Sequence, residues 1–169
     1  MIVVVMGVTG SGKTVVGSAL AKALDWPFLD GDDFHPPANV AKMASGTPLV
    51  DADRWPWLDR LAAEMGAILA RGGNAVLACS ALKRVYRDRI AASAKAPGDV
   101  RFVYLKADYE TIAARLAQRQ HRSMPATLLA SQFATLEAPA NAIVVDASAT
   151  VADEVARIRE QLQVRTVTE

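Results

Sequence analysis

The 169 residues carry 19 Lys and Arg against 18 Asp and Glu, a net charge of +1, with 51% hydrophobic and 22% charged residues. That balance fits one globular domain with a sizeable core and lacks the basic excess of a general nucleic-acid binder. The apolar runs are strand-length, too short for a transmembrane helix, and the lone Cys79 cannot form an internal disulfide.

In chain order, Ile2–Met6 is an apolar strand that leads straight into Gly7-Val8-Thr9-Gly10-Ser11-Gly12-Lys13-Thr14. A helix pattern follows through Val15, Val16, Leu20 and Leu24. Strand, G-x-x-x-x-G-K-[ST] and helix together make the phosphate-binding loop (P-loop) signature. The glycines let the backbone turn tightly, so that successive N–H groups point at phosphate oxygens, and the helix starting near Gly12 adds its positive end. All eight residues are therefore expected on a nucleoside triphosphate. Lys13 would reach the β- and γ-phosphates and the Thr14 hydroxyl would sit on Mg²⁺. Because the chain enters its core this early, no removable signal is expected, which with Cys79 as a small buried hydrophobe points to an expected reducing, cytoplasmic setting.

Pro27-Phe28-Leu29 reads as a short second strand, followed by Asp30-Gly31-Asp32-Asp33-Phe34-His35. Two carboxylates two residues apart near the phosphate loop suit phosphoryl transfer. One, Asp30, would hold Mg²⁺ through water, and the other, Asp32, would accept the proton of an attacking hydroxyl. The same residues fit an Asx turn with solvated carboxylates equally well. A helix beginning at Pro36-Pro37 would bring His35 and Asn39 together at its start, where their donors and acceptors suit a polyhydroxylated substrate; a surface or capping histidine fits as well. Gly46-Thr47-Pro48-Leu49 is a turn. Asp51-Ala52-Asp53-Arg54 opens the next helix, with an N-cap the favoured role for Asp51 or Asp53. Trp55 and Trp57 fit either core or a substrate-facing wall.

Arg54–Arg71 is amphipathic and stops at Gly72-Gly73. Ala75–Cys79 is a third strand, Lys83–Ala94 a helix, Phe102–Leu105 a fourth strand and Tyr109–Arg119 a helix. Thr127–Leu136 is helical, Ala142–Val145 a fifth strand, and Val151–Leu162 the closing helix. Lys83 and Arg87, four residues apart at the end of strand three, share a helix face and suit an anionic substrate group, or else form a solvated basic face. No Asp ends that strand, so Asp30 is the better metal ligand. Arg115, Arg119 and Arg122 share a face if helix continues through them. On a flap they would close over the triphosphate and stabilise the transferring phosphoryl group; alone they fit a solvent face as well. Apolar strands alternating with helices imply α/β architecture, a parallel sheet covered on both faces, with ligands at the strands' carboxyl ends.

Taken together, these segments resemble the gluconokinase family, small P-loop kinases related in fold to shikimate and nucleoside-monophosphate kinases. The resemblance runs from Met6 to about Pro139. It rests on the phosphate loop, Phe28-Leu-Asp-Gly-Asp32, His35-Pro36, Asn39, Lys42-Met43, Gly46-Thr-Pro-Leu49, Asp53-Arg54, Pro56-Trp57-Leu58, Cys79-Ser-Ala-Leu-Lys-Arg84 and Ser131-Gln-Phe-Ala-Thr-Leu-Glu137. It implies a P-loop NTPase fold, a three-layer α/β/α domain over residues 1–169 with a five-stranded parallel sheet and a helical lid near 119–126. It also implies ATP, Mg²⁺ and D-gluconate phosphorylated at its terminal hydroxyl, in a cytoplasmic homodimer without nucleic-acid or membrane partners. By position, Lys13, Asp32 and Arg119 would be catalytic. Gly7–Thr14, Arg115 and Arg119 would hold ATP, Thr14 and Asp30 the metal, and Asp32, His35, Asn39, Arg54, Lys83 and Arg87 the gluconate. Where many members read Gly-His-Phe-Met-Pro in the lid, this chain reads His121-Arg122-Ser123-Met124-Pro125, its histidine replaced or shifted by one position.

Other readings remain at this level. The cation pair fits any small acid, shikimate included. A nucleotide-dependent switch would need no cation-lined pocket, and a GTPase would be expected to carry Asn-Lys-x-Asp, which is absent. Adenine contacts are expected in the lid and near Asp146–Ser148.

Overall fold

A computed structural model describes residues 1–119 and 126–164. The strands are β1 (Ile2–Met6), β2 (Phe28–Asp30), β3 (Ala75–Ala78), β4 (Val100–Lys106) and β5 (Ile143–Asp146). The helices are α1 (Lys13–Leu24), α2 (Pro37–Ala44), α3 (Asp51–Ala70), α4 (Arg84–Ala91), α5 (Tyr109–Ala117), α6 (Ala126–Thr135) and α7 (Val151–Val164), with a 3₁₀ turn over Gly31–Phe34.

The five strands form one parallel sheet in the order β2-β3-β1-β4-β5. β1 is central because it is apolar on both faces, and every one of its residues is buried. Ile2, Val4 and Met6 pack with Trp57, Leu58, Leu61, Met65 and Ile90, a layer supplied by α3 and α4. Val3 and Val5 pack on the other face with Val16, Leu20, Ile158 and Leu162 from α1 and α7. The chain runs first to one side of β1 and then crosses to the other. β1 is thus the switch point where an open α/β sheet gathers its ligands. Cys79 is buried just past β3, and burial pushes its thiol up to about 12, so it behaves as the apolar filler expected of it.

Boundaries depart from the sequence pattern where pairing or capping decides them. α3 begins at Asp51, three residues before the amphipathic stripe, because Asp53 accepts a hydrogen bond from the Val50 N–H at 2.9 Å and secures the first turn. β4 begins two residues early because Val100 and Arg101 pair with Ile2 and Val3. β5 is an edge strand with alternating burial, Val144 and Asp146 facing out, rather than apolar throughout. No helix among the described residues is long and apolar enough to cross a membrane.

Candidate active site

The phosphate loop leaves β1 at Gly7 and ends in α1 at Lys13. Gly12, with φ 99°, makes the left-handed turn into the helix, a conformation that a side chain would strain. At Gly7 an added Cβ would stand 2.9 Å from the Leu105 carbonyl oxygen, so the loop lies against the end of β4. Val8 anchors it in a small apolar cluster with Leu82, Ile112, Leu116 and Leu129, which joins α5 and α6 to the loop. Gln132 of α6 accepts a hydrogen bond from the Thr9 N–H at 2.7 Å. Arg115 of α5 braces the loop from outside, donating to the Gly10 carbonyl at 3.5 Å and to the Ala147 carbonyl after β5. The buried Ser11 hydroxyl has no hydrogen-bond partner among the described residues.

Lys13 folds over the loop, its Nζ donating to the Val8 carbonyl at 3.0 Å. Burial lowers its pKa, while Asp32 and Asp30 pull the other way. The Thr14 hydroxyl donates to Asp30 Oδ2 at 3.0 Å, which joins the start of α1 to the end of β2. The other carboxylate oxygen of Asp30 accepts the Asp32 N–H at 3.0 Å and caps the 3₁₀ turn. The turn reading of Asp30 holds, and the same carboxylate meets the Thr14 hydroxyl, the other residue expected on the metal. One hydroxyl and one carboxylate suit Mg²⁺, which keeps several waters and takes further oxygens from phosphate. No group of three or more acidic, His or Cys side chains able to hold a metal exists among the described residues.

Beside Lys13 lies a groove of about 180 Å³ whose walls include Asp32, His35, Arg54, Trp57 and Tyr86. The Asp32 side chain is 84% exposed, directed into solvent from the 3₁₀ turn. Its base at the groove is still partly shielded from water, and this together with the neighbouring Asp30 and Asp33 carboxylates raises its pKa, while Lys13 opposes the rise. His35 is 9% exposed and lies flat on Trp57, with ring centroids 4.1 Å apart and planes 17° apart. Trp57 is itself fixed by donating to the Gly31 carbonyl at 2.7 Å. Burial, helped by the Arg54 charge, depresses the His35 pKa to about 4, so the ring is neutral in ordinary buffers.

Arg54 donates to the Tyr86 hydroxyl at 3.1 Å, and Tyr86 in turn makes a short hydrogen bond to Asp51. Lys83 stands 3.3 Å from the same Asp51 carboxylate and over the Tyr86 ring. Burial and the Asp51 hydrogen bond push the Tyr86 phenol up to about 12, so it stays protonated.

The structure thus gathers Lys13, Asp32, His35 and Arg54 on one groove and Thr14 with Asp30 at its edge. Three residues expected on the substrate lie elsewhere. Asn39 sits buried behind His35, donating to the Asp53 carbonyl. Lys83 is turned to Asp51. Arg87 is buried with its Nη1 spent on the Ala81 and Leu82 carbonyls at 2.9 and 3.0 Å, because the left-handed turn at Ala81 takes them out of the strand ladder; Leu82 also accepts the Glu137 N–H at 2.9 Å. Helical spacing placed Lys83 and Arg87 on one face but could not show that one of them points inward. Arg119 is exposed, near enough to Lys13 to lower its pKa. His121, Arg122 and most of the expected lid lie outside the described residues. Tyr86 and Gln132 were not among the expected site residues, since an aromatic or an amide on a helix reads first as packing. Asp146 and Ser148, expected near adenine, line a separate open cavity of about 650 Å³ with Lys106, Asp108 and Arg157.

A family model described as an AAA domain matches residues 2–139. The chain is 48% identical over 139 residues to the gluconokinase of Gluconobacter oxydans, covering 80% of this chain and 75% of that protein. The crystal structure of a gluconokinase from Sinorhizobium meliloti superposes with a TM-score of 0.83 at 44% identity, over 95% of this chain and 90% of that one. An unliganded sugar kinase from a Janibacter species gives 0.88 at 42% identity, over 96% and 94%.

Proposed function

The chain belongs to the gluconokinase family of P-loop kinases, and from that premise we propose that it transfers the γ-phosphoryl group of ATP to the terminal hydroxyl of D-gluconate, giving 6-phospho-D-gluconate and ADP. The observation that carries this reading is that Lys13 of the phosphate loop and Asp32 open onto one groove that also holds a neutral histidine and a guanidinium. In-line transfer needs positioning and charge stabilisation more than covalent chemistry. The loop N–H groups and Lys13 would hold the β- and γ-phosphates. Arg115 would keep the loop in shape, and Arg119 would add charge at the transferring group. Thr14 and Asp30 would hold Mg²⁺, which when bound neutralises the phosphate oxygens. The substrate oxygen forms a bond to the γ-phosphorus as the bond to the β-bridging oxygen breaks, and Asp32 takes the hydroxyl proton. Arg54, with Lys83 behind it, would match the gluconate carboxylate.

The test is ADP release from the purified chain with Mg²⁺-ATP, with and without D-gluconate, with shikimate in a parallel reaction. Strong stimulation by gluconate alone is expected, abolished by Lys13→Ala in a protein that still folds. Equal or greater stimulation by shikimate, or none by gluconate, overturns the assignment. Family membership extends the proposal to a homodimer in the cytoplasm, which sedimentation and cell fractionation would check.

A further inference from the structure

We propose that His35 acts as a neutral hydrogen-bond donor through Nε2, that Asn39 is the positioning residue that locks this tautomer, and that His35 and Asp32 together read a hydroxyl group of the acceptor. The role assigned to the pair rests on the kinase reading above; the tautomer does not.

A backbone carbonyl can only accept a hydrogen bond. Asn39 Nδ2 lies 2.9 Å from the Asp53 carbonyl oxygen, so the amide nitrogen, not its oxygen, must point there. That same nitrogen is 3.2 Å from His35 Nδ1. An amide nitrogen carries two hydrogens, one for each neighbour, so Nδ1 receives a hydrogen bond and carries no proton of its own. In a neutral imidazole the proton must then be on Nε2. Three further contacts hold this chain still. Asn39 is buried, Asp53 is pinned by Lys42 at 2.8 Å, and the imidazole is stacked on a tryptophan that is itself hydrogen-bonded.

Nε2 lies 3.9 Å from Asp32 Oδ1, too far for a direct hydrogen bond and far enough for an oxygen to be shared between them. The charged groups facing the ring are Asp32 from the 3₁₀ turn and Arg54 from α3. Arg54 and burial both oppose a second proton on the ring. A hydroxyl placed between the two side chains donates to Asp32 and accepts from Nε2–H. An ammonium group has no lone pair for Nε2–H. The pair therefore selects an alcohol over a protonated amine, and it aligns the oxygen lone pairs while Asp32 holds the departing proton.

Long-range ¹H–¹⁵N correlation on uniformly ¹⁵N-labelled protein tests the tautomer without any substrate. The chain has two histidines, and a His121→Gln variant assigns the other one as His35. His35 should show a protonated Nε2 and an unprotonated Nδ1 at neutral pH, with the same pattern retained at about pH 5.5, where an ordinary histidine is mostly charged. Asn39→Asp, which cannot donate, should move the proton to Nδ1 or leave the ring doubly protonated. A protonated Nδ1 in the wild type, or titration near 6.5, overturns the proposal even if the variant fails to fold.

The kinetic arm uses His35→Phe, which keeps the stack on Trp57 and loses the donor, and His35→Gln, which keeps a donor. Acceptor kcat/KM should fall about tenfold or more in the first and be partly restored in the second, with the KM for ATP unmoved in both. Equal activity of the Phe variant and the wild type overturns the hydroxyl-reading role. If D-gluconate does not stimulate the wild type at all, the kinase reading falls, and the nitrogen spectrum still decides the tautomer.

Discussion

Glu154 offers a quantitative test of how this fold treats a buried charge. It lies in the first turns of α7, 3% exposed, near Arg115 and Asp146. Burial raises its carboxyl pKa from the ordinary 4.5 to about 7; Arg115 opposes the rise and Asp146 adds to it. Between those two values the folded protein holds a proton that the unfolded chain has released. Stability therefore falls as pH rises through that window, and the penalty is complete above it. A displacement from 4.5 to about 7 corresponds to roughly 3 kcal/mol. Glu154→Gln removes the titration while keeping the shape. It should leave stability unchanged at about pH 4.5 and raise it by up to roughly 3 kcal/mol at about pH 8. For a chain of this size that is a rise in Tm of about 6–12 °C. Urea midpoints of both proteins at the two pH values give the answer. An equal difference at both, or a loss of stability in the variant at the higher pH, would refute the reasoning and mean that Arg115 holds Glu154 ionised throughout.

With Asp32 in the proposed role of proton acceptor, Asp32→Asn should lower kcat by about a hundredfold or more while the acceptor KM moves only a few-fold. Steady-state kinetics with both substrates varied would show this, and a change confined to KM would move Asp32 from catalysis to binding. Arg87→Met should cost about 1–3 kcal/mol of stability by leaving the Ala81 carbonyl without its donor, while Leu82 keeps the Glu137 N–H, with little effect on acceptor KM, as read from denaturant unfolding and kinetics side by side. Gly31→Ala places a Cβ 2.7 Å from the Ala78 carbonyl oxygen. It should cost about 1–3 kcal/mol in urea unfolding and displace the Asp32 turn.

How far the sequence reaches differs from residue to residue. The shape of the phosphate loop was legible because it is written in consecutive residues: glycines for the turn, then a lysine and a hydroxyl at the start of α1. Asp30 was expected near the phosphate loop because a parallel sheet gathers the carboxyl ends of its strands on one edge, and across β3 it accepts a hydrogen bond from Thr14. The helix start at Asp51–Asp53 was legible, but neither carboxylate is the N-cap: Val50 holds that position, Asp53 accepts its N–H from the third helical residue, and Asp51 turns to Lys83 and Tyr86.

The acceptor side was legible only in outline. His35 and Arg54 line the groove as expected, but Asn39, Lys83 and Arg87 support it from behind. Spacing along a helix says which residues share a face. It does not say whether that face meets solvent, substrate or an unpaired carbonyl. Arg87 turns inward to the Ala81 carbonyl and adds a second donor to Leu82, which also accepts the Glu137 N–H, and that arrangement arises only once β3 and α4 are joined by a left-handed turn. The neutral state of His35 likewise comes from Trp57, Asn39 and Arg54, brought to it from two other helices. The sequence by itself determined the strand–loop–helix that binds phosphate and the alternation that builds a parallel sheet, because both follow from short-range backbone and side-chain preferences. Only the tertiary structure decided which polar side chains face the groove and which protons they carry, because those depend on burial and on partners far along the chain.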